Sequence, residues 1–240
     1  MDSNLVNGND LARMLPPMLN NAGVERVHLE TLTKRPSFRG GDVSDAAQAI
    51  TGAAREDHRR HQFGFWEFAL QASISADQPT RAALVAGALR HDPGTTLQSE
   101  LRLVEFARSL EAGEFDRLPS RTIVCLVSQV ETRKGEQLHI PMLDLGAPVS
   151  PAGEAACLDA IQALGLTGLL FDSGGSYHLY ADQLVNERRF QSLLARAQLL
   201  SPIVDSRWIS HQMIDGRAAL RVSTDDERHP KPHRFVAAVE

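Results

Sequence analysis

The chain has 240 residues, 42% of them hydrophobic and 23% charged, with a formal net charge of -5. That composition belongs to an ordinary globular protein able to bury one large core or two small ones. No apolar run reaches the length of about 18 residues that a membrane span needs, and the acidic balance argues against a broad, nonspecific nucleic-acid surface while leaving room for a local basic groove.

The first residues, Met1 to Met14, lack a charged segment followed by an apolar one, so no secretion signal is expected. Cys125 and Cys157 are the only cysteines, and both stand in apolar segments. They read as buried thiols of a reducing compartment rather than as a disulfide or a zinc site, and a cytoplasmic location is the expectation.

In chain order, residues 1–20 predict a short helix stopped by Pro16-Pro17. Val24–Thr33 alternates well enough for a strand. Ser37–Asp42 is a glycine loop. Ser44 or Asp45 caps a helix that ends near Arg60. Phe65 to Ala72 suits a buried helix, with a strand as the rival. Pro79 opens a further helix to Leu89. Asp92-Pro93-Gly94 is a turn. Leu101–Leu110 reads as helical, and Gly113–Ser120 is the best candidate domain boundary.

The second half has a different texture. Thr122–Val130 is β-branched and apolar, and Leu138–Leu145 is a second apolar strand, so the two predict a β-hairpin. Pro151–Leu164 predicts a helix ended by Gly165. Gly168–Asp172 and Tyr177–Tyr180 predict strands around the turn Ser173-Gly174-Gly175-Ser176. Glu187–Leu200 predicts an amphipathic helix with Phe190, Leu193, Leu194 and Ala197 inward. Trp208–Met213 and Ala218–Val222 predict a closing hairpin turned at Asp215-Gly216. The expected fold is α+β, with a mixed or antiparallel sheet and helices on one face.

Several residues invite chemistry. Asp144 follows the apolar Ile140-Pro141-Met142-Leu143, where a carboxylate must be solvated, paired or metal-bound. It is either a strand-end acid capping the next loop or an oxygen ligand for a divalent ion. Gly174 and Gly175 let backbone N–H groups approach an anion, and His178, two residues past Ser176, can add a donor to a phosphate oxygen; the same residues also suit a plain hairpin with a sheet histidine. Asp205 stands at a strand start, with Arg207 two residues on. Arg221 lies in an apolar strand and needs a partner, either Asp144, Asp205 or a ligand phosphate. Many basic residues follow Arg188, including Lys231 and Arg234 together with His211, His229 and His233. Acids such as Asp225, Asp226 and Glu227 are interspersed, which also suits a solvated mixed surface.

The order of these features resembles the archaeo-eukaryotic primase superfamily, the primase-polymerase catalytic core, over about residues 120–235. The resemblance implies an RRM-like primase-type core over residues 119–240 and an N-terminal α/β module over 1–118, or one compact unit. Its D-x-D, S-x-H and later acid fall on Asp144, on Ser176 and His178, and on Asp205. It implies Asp144 and Asp205 as ligands of Mg2+ or Mn2+. It further implies Ser173, Gly174, Gly175, Ser176, His178, Arg207 and Arg221 around the phosphates of a nucleoside triphosphate. The second acid of D-x-D falls on Gly146, with Asp172 beside the turn as a geometric alternative.

Three readings follow. One is a metal-dependent nucleotidyltransferase, a primase or polymerase acting on nucleoside triphosphates and nucleic acid, in which Asp144, Asp205 and His178 are catalytic. The second is a primase-like pseudoenzyme that binds nucleotide, DNA or RNA, or serves as a subunit beside a protein partner. The third is a scaffold in which Asp144, Asp205 and Arg221 form an internal ion-pair network. No membrane partner is expected.

Overall fold

The computed structural model describes residues 9–33, 44–61, 64–91, 95–224 and 230–240. The loop expected at Ser37–Asp42, the turn at Asp92-Pro93-Gly94, and His229 with its neighbours Asp225, Asp226 and Glu227 lie outside the described residues. By contacts the chain divides into two units, Met1–Lys34 with Gly94–Glu240, and Arg35–Pro93. The larger unit runs through the boundary expected at residue 118.

Among its described residues the smaller unit holds three helices, α2 (Asp45–His61), α3 (Phe65–Ser73) and α4 (Gln78–Leu89). Their buried positions include Ala47, Thr51, Ala54, Ala69, Ser73, Thr80 and Leu84, mostly small side chains that let helices approach closely. Asp77 caps α4 by accepting the Thr80 N–H at 2.8 Å, and Pro79 occupies the first turn, where its missing N–H costs nothing.

The larger unit begins with α1 (Asp10–Asn21), which continues through Pro16-Pro17 instead of stopping there. Leu11, Leu15, Pro16 and Leu19 are buried on one stripe, and that burial offsets the hydrogen bonds the prolines cannot make. Two antiparallel sheets follow. The first contains β1 (Val24–Thr33), β2 (Thr95–Arg102), β3 (Thr122–Thr132) and β4 (Gln137–His139) in the order β2-β1-β3-β4, with β8 (Ala219–Arg221) also on β3. The second contains β5 (Met142–Leu145), β6 (Gly168–Asp172), β7 (Tyr177–Ala181) and β9 (Arg234–Val239) in the order β5-β7-β6-β9. The helices are α5 (Leu103–Glu111), α6 (Pro151–Leu164), α7 (Glu187–Gln198) and α8 (Ser206–Asp215). The fold is α+β, and the described strand pairs are antiparallel.

Three further expectations are corrected. Leu101 and Arg102 close β2, and the helix starts only at Leu103, so the polar strand Thr95–Arg102 is an element the apolar pattern did not signal. The strand expected over Leu138–Leu145 is broken in two. Ile140 donates its N–H to the Ser128 carbonyl at 2.8 Å, Pro141 has no N–H to give, and its carbonyl accepts from Ala181 at 2.9 Å. The chain thereby passes from the first sheet to the second. The segment around Trp208 is a helix, not a hairpin strand. Asp205 caps it by accepting the Trp208 N–H at 2.9 Å, and Gly216 closes it with φ of 69° in the left-handed region. The Asp-Gly pair is thus a helix terminus, and Arg234–Val239 supplies the late strand.

One core joins both sheets, from Leu11, Leu15 and Val27 through Leu126, Met142 and Phe171 to Phe190 and Leu220. A polar clasp, buried at Ser128 and His139, runs out to the exposed Glu187. His139 Nε2 lies 2.7 Å from Glu187 Oε2, so that nitrogen carries the hydrogen. Its Nδ1 then accepts from the Ser128 hydroxyl at 3.1 Å, and Ser128 Oγ accepts the Ala218 N–H at 2.9 Å. The ring stacks on Phe190 with centroids 4.3 Å apart. Ser128 is fully buried, so this serine–histidine–glutamate series ties β3, β4, α7 and the approach to β8 together and offers no reachable nucleophile. Cys125 and Cys157 are both buried and free, and burial pushes the Cys157 thiol up to about 12.

Candidate functional site

The candidate residues converge where β5, β7 and the start of α8 meet. Asp144 and His178 are paired positions on neighbouring strands. His178 Nε2 lies 3.9 Å from Asp144 Oδ1, and the Ser176 hydroxyl lies 3.5 Å from the same oxygen. Asp205 arrives from the far side. Its N–H donates to the Asp144 carbonyl at 3.0 Å, next to a bridge between Leu145 and Val204. Asp144 on the edge strand β5, Ser176 and His178 at the neighbouring strand β7, and the α8 cap Asp205 thus lie beside one another in the fold. Arg207 lies in the first turn of α8 and is half-buried.

The glycine turn is held from three sides. Ser173 donates both its N–H and its hydroxyl to the Ser176 carbonyl, at 2.9 and 3.1 Å. Gly174 has φ of 106°, a conformation that favours glycine, and its N–H donates to Asp172 Oδ1 at 2.8 Å. Asp172 Oδ2 accepts from the Arg234 guanidinium at 2.7 Å. Both oxygens of this buried carboxylate are thus committed to holding the turn and β9, which argues against Asp172 as the missing second acid. From below, Arg221 donates to the Ser173 carbonyl at 2.6 Å and to the Ser223 carbonyl. Arg221 is only 6% exposed, so it supports the base of the turn. Gly174 and Gly175 are exposed above it, with Ser176 between exposed and buried.

At position 146 a Cβ would stand 3.3 Å from the Pro202 carbonyl oxygen. The site has backbone packed against it where a D-x-D pattern has a second carboxylate. Among the described residues, no group of three or more histidine, cysteine, aspartate or glutamate side chains is arranged to hold a metal. The donors that exist, Asp144 and the Asp205 oxygen not engaged by Trp208, are hard oxygens. Hard oxygens are the donors a divalent ion such as Mg2+ takes, and two carboxylates do not form an all-protein cage.

Two further residues stand here that the sequence reading places only among the C-terminal basic residues. His233 Nε2 lies 3.2 Å from His178 Nδ1, and Arg234 grips Asp172. The usable signal was the apolar run Phe235–Val239 just after them, a strand that had to find a sheet.

This antiparallel α+β core belongs to a primase-like protein. The family model for archaeo-eukaryotic primase 1D-like proteins matches residues 102–234, more than half of the chain, and the chain belongs to that family. Neither a curated protein nor a solved structure gives a significant match. No described helix is long and apolar enough to cross a membrane.

Proposed function

We propose that this primase-like protein binds the phosphates of a nucleoside triphosphate at the glycine turn and His178, together with a divalent ion, Mg2+ or Mn2+, held between the triphosphate and the carboxylates of Asp144 and Asp205. The observation that supports this most directly is the convergence of Asp144, Ser176 and His178 on paired strands, with the Asp205 backbone bonded to that of Asp144. Bound there, the ion would neutralise charge on the phosphate oxygens.

Two ions about 4 Å apart, as nucleotidyl transfer commonly uses, need more carboxylate than this edge offers. Gly146 has none, and Asp172 is engaged elsewhere. The reading therefore favours binding over polymerisation, with DNA or RNA ends and a protein partner as further ligands. The retained order Asp144, Ser176, His178, Asp205 favours nucleotidyl transfer as the second reading.

A thermal-shift series with each nucleoside triphosphate, with and without Mg2+ or Mn2+, tests the proposal on wild type, His178→Ala and Asp144→Asn. A metal-dependent rise in melting temperature, lost in both variants, is expected through linkage. Primer extension run beside it separates the two readings: synthesis lost in Asp144→Asn would establish transfer. No shift with any nucleotide would sink the nucleotide site and direct the search to protein partners.

A further inference from the structure

Three of the outer strands find partners beyond their own sheet. His139 of β4 exchanges two backbone hydrogen bonds with Val185, at 2.8 and 2.9 Å. β5 is met by Val204, which bridges to Leu145, and by the Asp205 N–H. The Phe235 N–H of β9 is taken by Asp10 Oδ2 at 3.0 Å. β2 differs. It pairs with β1 on one side, and its last N–H, at Arg102, goes to Glu105 at 2.9 Å. Residues 97–101 have no partner on their outer side among the described residues, and Leu97, Gln98, Ser99 and Glu100 are all exposed. An open edge is commonly blunted by a proline, a lysine or a bulge. β2 has neither proline nor lysine, and its register with β1 runs without a bulge.

The open stretch is its own complement about Ser99. Laid antiparallel on a second copy with Ser99 facing Ser99, Leu97 faces Leu101 on one side of the sheet, and Gln98 faces Glu100 on the other. Leu97 is 68% exposed, although its register places it on the face where Val27 and Leu29 are buried. Leu101 packs against that core. The pairing therefore covers the exposed leucine of each copy with a core-edge leucine of the other. Charge selects this register. Glu100, held by Arg26 at 2.7 Å, meets an uncharged amide. An axis at Glu100 would set two carboxylates opposite each other, and an axis at Gln98 would set Leu97 against Ser99 and leave Leu101 unmatched.

We propose that β2 pairs with the β2 of a second copy of this chain, antiparallel and two-fold about Ser99, so that the first sheet continues across two molecules. A ladder this short buries less than the roughly 1,200 Å2 of a stable complex, so the dimer is reversible, with a dissociation constant on the order of 10 µM.

Sedimentation equilibrium of the full chain over the micromolar range tests the association. The mass is expected to rise from that of one chain toward that of two, and Leu97→Lys, at an exposed position, is expected to fold and stay monomeric. Ser99→Cys tests the register. Facing residues of an antiparallel pair lie within disulfide reach, so mild oxidation is expected to link two copies at position 99. Gln98→Cys and Glu100→Cys, each lying diagonally from its own counterpart and beyond that reach, are expected to link poorly. Cys125 and Cys157 are buried and do not compete.

A wild-type chain that stays monomeric throughout the range would overturn the proposal. A dimer that persists in folded Leu97→Lys would overturn it too, because another surface would then hold the copies together. Linkage at 98 or 100 in place of 99 would overturn the register and the pairing argued from it.

Discussion

The Asp205 N–H donates to the Asp144 carbonyl at 3.0 Å, so two acids far apart in sequence are fixed to one another through backbone. The side chains are then free to differ in duty. Asp144 Oδ1 faces Ser176 and His178, while Asp205 Oδ1 caps α8.

That division separates variants of Asp205. Asp205→Ala loses the cap and is expected to cost about 1 kcal/mol, a fall of roughly 2–4 °C in melting temperature. Asp205→Asn keeps an oxygen for the Trp208 N–H and is expected to melt close to wild type. Both are expected to lose the metal-dependent nucleotide shift. Paired thermal melts, with and without ATP and Mn2+, read both effects.

Gly146→Asp would return a carboxylate to the D-x-D pattern. Its Cβ meets the Pro202 carbonyl oxygen at 3.3 Å, a contact that a shift of a few tenths of an ångström relieves. The variant is expected to fold with a melting temperature a few degrees below wild type, at a cost of about 1 kcal/mol. It is also expected to bind Mn2+ more tightly, read by titration calorimetry in the presence of ATP. Unchanged Mn2+ affinity in a folded protein would count against position 146 lying at the metal edge.

Asp172 is expected to act on the turn alone. Asp172→Ala removes the acceptor of the Gly174 N–H and the partner of Arg234, and a loss of about 1–3 kcal/mol is expected in urea unfolding. Asp172→Asn keeps an oxygen for one of the two donors and is expected to recover part of that loss. If Asp172 instead supplied the second metal carboxylate, the alanine variant would lose Mn2+ affinity while retaining stability.

His139 gives the fold a pH dependence. Burial holds its pKa below the ordinary 6.5, with Glu187 opposing the shift. The unfolded chain therefore takes up a proton at His139 before the folded one does, and stability present above about pH 6.5 falls as pH drops through the folded value. Glu187→Gln removes the opposing charge, so the loss is expected to extend to lower pH. His139→Phe, which can still stack on Phe190, is expected to flatten this part of the profile at the cost of the Ser128 bond. Melting temperature against pH for the three proteins measures it.

The sequence was most legible where one pattern dominated. The apolar β3, the capped α6 ended by Gly165 and the inward Phe190, Leu193, Leu194 and Ala197 of α7 all stand where the pattern predicts them. It was least legible where a residue type has two uses. Asp215-Gly216 suits a hairpin turn or a helix end, and only the Asp205 cap together with the burial of Ile209 and Gln212 decides for the helix. Pro141 looked like part of a strand because the residues around it are apolar on both sides, although they belong to different sheets. At the candidate site, the order of Asp144, Ser176 and His178 in the sequence marked residues that the structure brings together. His233 was not, because its significance comes from a strand pairing, Phe235 with Phe171, that no local pattern encodes.

Thr33 and Thr95 are facing partners at the end of the β1–β2 pairing, so everything between them leaves and returns at one point of the larger unit. In topological terms the three helices α2 to α4 are the loop of a hairpin. Closing a longer loop adds entropy cost only slowly, so such a unit can be gained, exchanged or shed in descent without disturbing the register of the sheet it interrupts. The match to the family model begins only at Arg102, on the strand that receives the chain back, so the whole of the smaller unit precedes it.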